Sequence, residues 1–161
     1  MSASLLASLR ERTRPQHAAL EDLPLAVALR EGDLPLLSYI NQLRCLSVVH
    51  ASFERLCSQT GEPRLASVWQ DDMARLPLLR QDLDYLERHR PWSLDIGPAQ
   101  AAAQDLAGRI LRHAAASPLA LLGHYYVLEG SRLGGKTLST WARRCFDLGE
   151  GWGVAYLRGQ S

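Results

Sequence analysis

The strongest constraint on this chain is the spacing of its apolar residues. It follows a helical period through most of the length and shows no standout alternating run of β-branched residues. Tyr39, Leu43, Leu46, Phe53 and Leu56 keep one helical face apolar, with Asp33 as a start and Gly61 as an end. Leu76, Leu79, Leu83 and Leu86 form a second stripe, on a helix ending near His89. Arg90 to Pro98 reads as a loop, because Pro91, Gly97 and Pro98 punctuate it. A third helix runs from about Ala99 to Ala116, and Ser117 with Pro118 supplies the N-cap and first turn of a fourth. At the front, Thr13 and Gln16 have the spacing of a capping box, and Pro15 falls where a first helical turn tolerates proline. A helix carrying His17 therefore either starts at Thr13 or restarts there after a kink. With 161 residues, no internal repeat and no linker, the expectation is one all-α domain, a helical bundle over residues 1–161.

Composition narrows the partners. The formal net charge is +1 and 22% of residues are charged, a balance that points to no nucleic acid and no membrane surface. No apolar run approaches the roughly 20 residues that a spanning helix needs. Between Met1 and Arg14 the basic residues follow the apolar stretch, the reverse of a secretory signal, so the expected location is cytoplasmic. Cys45, Cys57 and Cys145 match no zinc or redox spacing, and an odd number argues against a disulfide framework.

Two constellations carry chemistry. His17 and Glu21 are four residues apart and share a helical face, as a metal-ligating imidazole and the carboxylate that holds its other nitrogen would. By spacing alone the pair reads more readily as ordinary helix surface. His50 reads as a hydrogen-bonded core residue, His89 and His113 as surface or helix-end residues, and His124 lacks an evident acidic partner. No Glu-x-x-His or His-Glu-x-x-His occurs, so a di-iron bundle and a zincin are unsupported.

The second constellation is LLGHYYVLEGSRLGGKTL, Leu121 to Leu138, which is helical in pattern yet contains Gly130, Gly134 and Gly135. Each glycine inside a helix costs about 1 kcal/mol relative to alanine, so the run implies a compensating use: a kink, or backbone approaching a flat ligand. Otherwise the helix ends at Gly130 and a loop follows. Gly130 to Thr137 also matches G-x-x-x-x-G-K-[ST]. That motif needs a preceding strand and later parallel strands, and the surrounding sequence supplies neither.

LRERTRPQHAALE, Leu9 to Glu21, and LLGHYYVLEGSRLGG, Leu121 to Gly135, together resemble the proximal and distal signatures of bacterial biliverdin-producing haem oxygenases. GDLPLLSYINQL and LPLLRQDLDYL also stand where that family places its second and third helices, so the resemblance covers about Leu5 to Trp141. It implies a haem-oxygenase-like bundle that opens the haem ring with oxygen to biliverdin, iron and carbon monoxide. Haem b would be both substrate and cofactor. His17 would be the axial ligand of the haem iron, oriented by Glu21. Gly130 and Gly134 would form the distal wall, and Gly135 would ease a kink. Ser131 would stand where animal members carry an aspartate that organises distal water; in the bacterial branch backbone and water do this. Tyr125 would touch the haem edge or propionates, and Arg10 a propionate. Electrons would come from an external donor, a ferredoxin, flavodoxin or reductase, and the product could feed a bilin-accepting photoreceptor. Members usually continue for one or two more helices, which this sequence lacks. A non-catalytic haem- or tetrapyrrole-binding or interaction module of the same fold is the alternative.

Overall fold

A computed structural model describes residues 5–88, 97–130 and 134–159. Among these residues every regular element is helical. α1 (Leu5–Glu21) and α2 (Pro24–Glu31) lead into α3 (Leu36–Gln59), followed by the single turn α4 (Pro63–Ala66) and α5 (Leu76–Glu87). Then come α6 (Gly97–Ala116), α7 (Ala120–Gly130), α8 (Gly135–Phe146) and a last turn, α9 (Ala155–Arg158). The long helices fall where the apolar periodicity places them, within two or three residues. The Ser117-Pro118 pair forms a turn just before α7, with Ala120 N–H donating to Ser117 and Leu121 N–H to Pro118.

α1 differs from the sequence expectation. It is one helix through Thr13, with Pro15 inside it. The Thr13 hydroxyl donates back to the Leu9 carbonyl at 2.9 Å instead of capping a new start. The helix-forming residues before Thr13 extend the turn that the capping-box spacing would otherwise begin.

α3 is the spine. Its 24 residues extend for about 36 Å at 1.5 Å per residue. One end, with Tyr39, Ile40 and Leu43, packs with Leu29, Leu79, Leu86, Ala142 and Val154 into one apolar cluster. The other end, with Val49, Phe53 and Cys57, packs with Leu65, Trp69, Ile110 and Leu121 into a second. The three cysteines are free thiols, and burial, reinforced by nearby Glu54, pushes Cys57 up to about 12.

Buried polar groups then lock the short elements. α9 is too short to hold itself, since Arg158 N–H reaches back to the Val154 carbonyl but the first N–H groups lack partners inside the turn. Asp82 of α5, fully buried, supplies them: Oδ1 accepts from Ala155 N–H at 2.7 Å and Oδ2 from Tyr156 N–H at 2.8 Å. Desolvation raises its carboxyl above the ordinary range, and these two bonds pull it partly back. The Tyr39 hydroxyl donates to the Gly153 carbonyl at 2.8 Å, fixing the turn that leads into α9.

α6 and α7 are joined by His113 Nδ1 and His124 Nε2, 3.0 Å apart with the rings 19° from parallel. The sequence showed no acidic partner for His124, and its partner is another histidine. Burial, then the neighbouring His113, lowers His124 below its usual value.

Asp82→Ala leaves two N–H groups without acceptors and should cost about 2–4 kcal/mol, read as a lower urea midpoint; Asp82→Asn, which keeps an acceptor oxygen, should cost less. A lowered folded-state pKa means that the fold resists a proton the unfolded chain accepts. Stability should therefore fall as pH drops below about 6.5, and His124→Gln should flatten that part of the urea-midpoint profile.

Candidate haem site

α7 is apolar on nearly every side, and a helix of that kind needs cover all round. One side is covered. Leu121 is buried, and the Tyr125 ring stacks on Phe53 at 6.4 Å and meets Trp69 edge-on at 6.0 Å. The Tyr125 hydroxyl donates to the Met73 sulfur at 3.5 Å. Another side, carrying Gly123, Val127 and Gly130 at i, i+4 and i+7, is open: Val127 is 65% exposed.

The glycines divide into two kinds. A Cβ built at Gly130 or Gly134 meets nothing within 4 Å, and neither has a positive φ. Neither packing within the described protein nor backbone conformation asks for glycine at these two positions. Gly135, the first residue of α8, is different. It is buried, and a Cβ there would collide with the Leu157 carbonyl of α9. Its smallness lets α8 and α9 touch. The Leu121 to Leu138 segment is accordingly not one helix, because α7 ends at Gly130 and α8 begins at Gly135. Ser131 lies outside the described residues.

An open cleft of about 1410 Å³ runs between α7 and the α8–α9 corner. Leu122, Tyr125, Tyr126 and Gly130 border it on the α7 side, and Lys136, Arg143 and Arg158 on the other. Glu129, also on the α7 side, is held by Arg75, whose Nη2 lies 3.2 Å from Oε1. Arg75 is itself fixed by its own N–H, which donates to Glu54 at 2.7 Å. Glu54 also accepts from Leu76 N–H at 3.0 Å and lies 3.0 Å from His50 Nδ1. His50 is the buried, hydrogen-bonded residue that its sequence position suggested, and its Nε2 reaches the Tyr156 hydroxyl at 3.2 Å.

His17, Glu21 and Arg10 all lie on α1, and all three are exposed. α1 makes its most extensive packing with α2. Neither His17 nor Glu21 makes a hydrogen bond or ion pair with a described residue, and neither borders the cleft. Of the residues singled out by sequence, the structure brings Tyr125 and Gly130 to the cleft, and Gly134 and the α1 trio do not border it. The Arg75–Glu129 tie was missed, because it joins residues far apart in sequence. The row of Lys136 and Arg143 was legible, since seven residues return to the same helical face.

The family model for Heme oxygenase matches residues 3–158. This chain belongs to the haem oxygenase family. A curated relative, heme oxygenase 1 of Synechocystis sp. (strain PCC 6803), is 27% identical over 158 residues. The match takes in 97% of this chain and 65% of that relative, so the chain spans less than two thirds of the relative's length. The solved heme oxygenase from Leptospira interrogans superimposes with a TM-score of 0.83 at 28% identity, covering 96% of this chain and 76% of that one. Heme oxygenase-1 from Synechocystis, solved with heme, shares the fold at a TM-score of 0.79 and 24% identity, over 96% of this chain and 70% of its own.

The two kinds of glycine predict opposite stability effects. Gly130→Ala should leave the urea midpoint unchanged or raise stability by up to about 1 kcal/mol. Gly135→Ala should lower stability by about 1–3 kcal/mol through overpacking against α9.

Proposed function

We propose that this chain binds haem b through His17 and opens the porphyrin ring to biliverdin, iron and carbon monoxide. The observation that carries the reading is the pair Gly130 and Gly134, glycines with open space where a side chain would be, in a chain of this family. Glycines at the end of α7 and the start of α8 that the described packing does not require are accounted for by a flat ligand pressed against the backbone. The exposed, unengaged imidazole of His17 also fits, because an axial ligand must keep a ring nitrogen free.

In this reading His17 would hold the haem iron, and Glu21, one turn on, would accept from its other ring nitrogen and set the tautomer. Gly130 and Gly134 let the distal backbone approach closely, excluding side-chain bulk and limiting water there. With Ser131 where animal members carry an aspartate, backbone and water would carry the distal hydrogen bonding. Tyr125, clamped between Phe53 and Trp69, offers a rigid edge, and Arg10 meets an acid group of the ligand. Bound haem supplies the oxygen chemistry, being substrate and cofactor together. The electrons come from an external donor of the ferredoxin, flavodoxin or reductase kind.

A hemin titration followed by ascorbate tests the proposal. The expected result is a saturable Soret band, then its replacement by the biliverdin absorption with release of carbon monoxide. His17→Ala should lose the band at its original position while keeping the native far-UV circular dichroism. An unchanged band in that variant rules out His17 as the ligand. A band that is stable to reductant and oxygen leaves a haem-binding module without turnover.

A further inference from the structure

One close pair of imidazoles has no part in the function proposed above. His113, in the last turn of α6, and His124, in the second turn of α7, bring Nδ1 and Nε2 to 3.0 Å of each other. His113 is exposed and His124 half-buried, so a small ion reaches the pair from solvent. As a hydrogen bond the contact uses one N–H for two ring nitrogens and competes with water at the surface, so by itself it contributes little.

The backbone holds the two rings ready. α6 ends at Ala116 and α7 starts at Ala120, and the turn between them is fixed. Ser117 N–H donates to the His113 carbonyl at 2.9 Å, Ala120 N–H to Ser117 at 2.9 Å, and Leu121 N–H to Pro118 at 3.1 Å. Two imidazoles on one tetrahedral ion, with metal–nitrogen bonds of about 2.0–2.1 Å, hold their nitrogens about 3.3 Å apart and their ring centres about 5 Å apart. Here the nitrogens are 3.0 Å apart and the ring centres 5.2 Å. A tilt of the rings opens the remaining distance of about 0.3 Å, and neither helix has to shift.

The surroundings admit a cation. His113 stands at the C-terminal end of α6, where the helix dipole favours positive charge. The nearest cations of α6 lean back toward its start: Arg109 Nε lies 3.4 Å from Asp105, and Arg112 Nη1 lies beside Gly108. Among the described residues no His, Cys, Asp or Glu joins the pair to make a cluster of three, so water completes the coordination shell.

We infer that His113 Nδ1 and His124 Nε2 form a two-histidine chelate for an imidazole-preferring divalent transition ion, zinc or nickel, which clamps α6 to α7. Both rings ligate in the neutral form. The ring that donated the shared hydrogen takes its other tautomer and carries that hydrogen on the nitrogen facing away from the ion. Magnesium prefers oxygen ligands and is not held. The chelate is separate from the haem reading, because neither histidine lies on α1 or borders the cleft.

The test uses the full, haem-free chain without an affinity tag, at neutral pH. Calorimetric titration with Zn2+ and with Ni2+ should each show a tightest site of one ion per chain, which about a hundredfold excess of Mg2+ does not displace. His113→Gln and His124→Gln should each weaken that site at least about tenfold with native far-UV circular dichroism, and His17→Ala should leave it within about twofold. Paramagnetic Ni2+ should broaden the amide resonances around residues 113 and 124 of the unaltered chain before any others, a readout that needs no variant to fold. No such site, a site that survives His113→Gln or His124→Gln in folded protein, one lost in His17→Ala, or broadening centred elsewhere each overturns the inference. The hemin and ascorbate result is independent: its failure leaves the chelate standing, and absence of metal binding leaves the oxygenase reading intact.

Discussion

The Glu54 carboxylate holds the interior of this bundle together. It stands on α3 and receives the first N–H groups of α5, from Arg75 and Leu76, at 2.7 and 3.0 Å. A negative side chain at a helix N-terminus satisfies donors that the helix itself leaves orphaned and complements the dipole. The same carboxylate lies beside His50, which reaches Tyr156 on α9, while Arg75 reaches Glu129 on α7. One buried acid thus ties four helices, and the last link lands on the residue before Gly130. The position of the candidate distal helix depends on an interaction between α3 and α5.

Asp82, midway along α5, repeats the device for the start of α9. Two backbone N–H groups of α9 converge on a carboxylate with no solvent exposure. Burying these acids is costly, and the cost is offset only because their oxygens meet donors aligned by a helix start. The result is directional. Apolar contacts alone would leave the short α9 free to slide, whereas two N–H groups on one carboxylate fix both its distance and its direction. Gly135 then admits the Leu157 carbonyl against α8. The corner that carries Lys136, Arg143 and Arg158 into one cleft is built from these contacts.

The glycines illustrate how one residue type serves two ends in one segment. Gly135 answers to the protein, since any side chain would strike α9. Gly130, the last residue of α7, and Gly134, just before α8, have open space where a side chain would stand. Only coordinates separate the two, because all three look alike as interruptions in an apolar run.

By itself the sequence determined the class of fold and its main elements. Helical period, the Ser117-Pro118 start and the Gly61 break are local features, set by side-chain spacing and backbone preference within a turn or two. It also singled out His17 and the glycine run, because motif order and spacing survive in one dimension. It misjudged the start of α1, where local capping chemistry lost to the continuing helix. It did not reveal the Arg75–Glu129 tie, the His113–His124 pair or the cap that Asp82 places on α9. These join residues distant in sequence, and nothing in the local pattern says which acid meets which donor. Only the tertiary structure decided that the cations of α8 and α9 share one cleft while α1 stands outside it. Which charged side chains become neighbours follows from how the helices pack, and that packing is settled by buried long-range contacts rather than by any single segment.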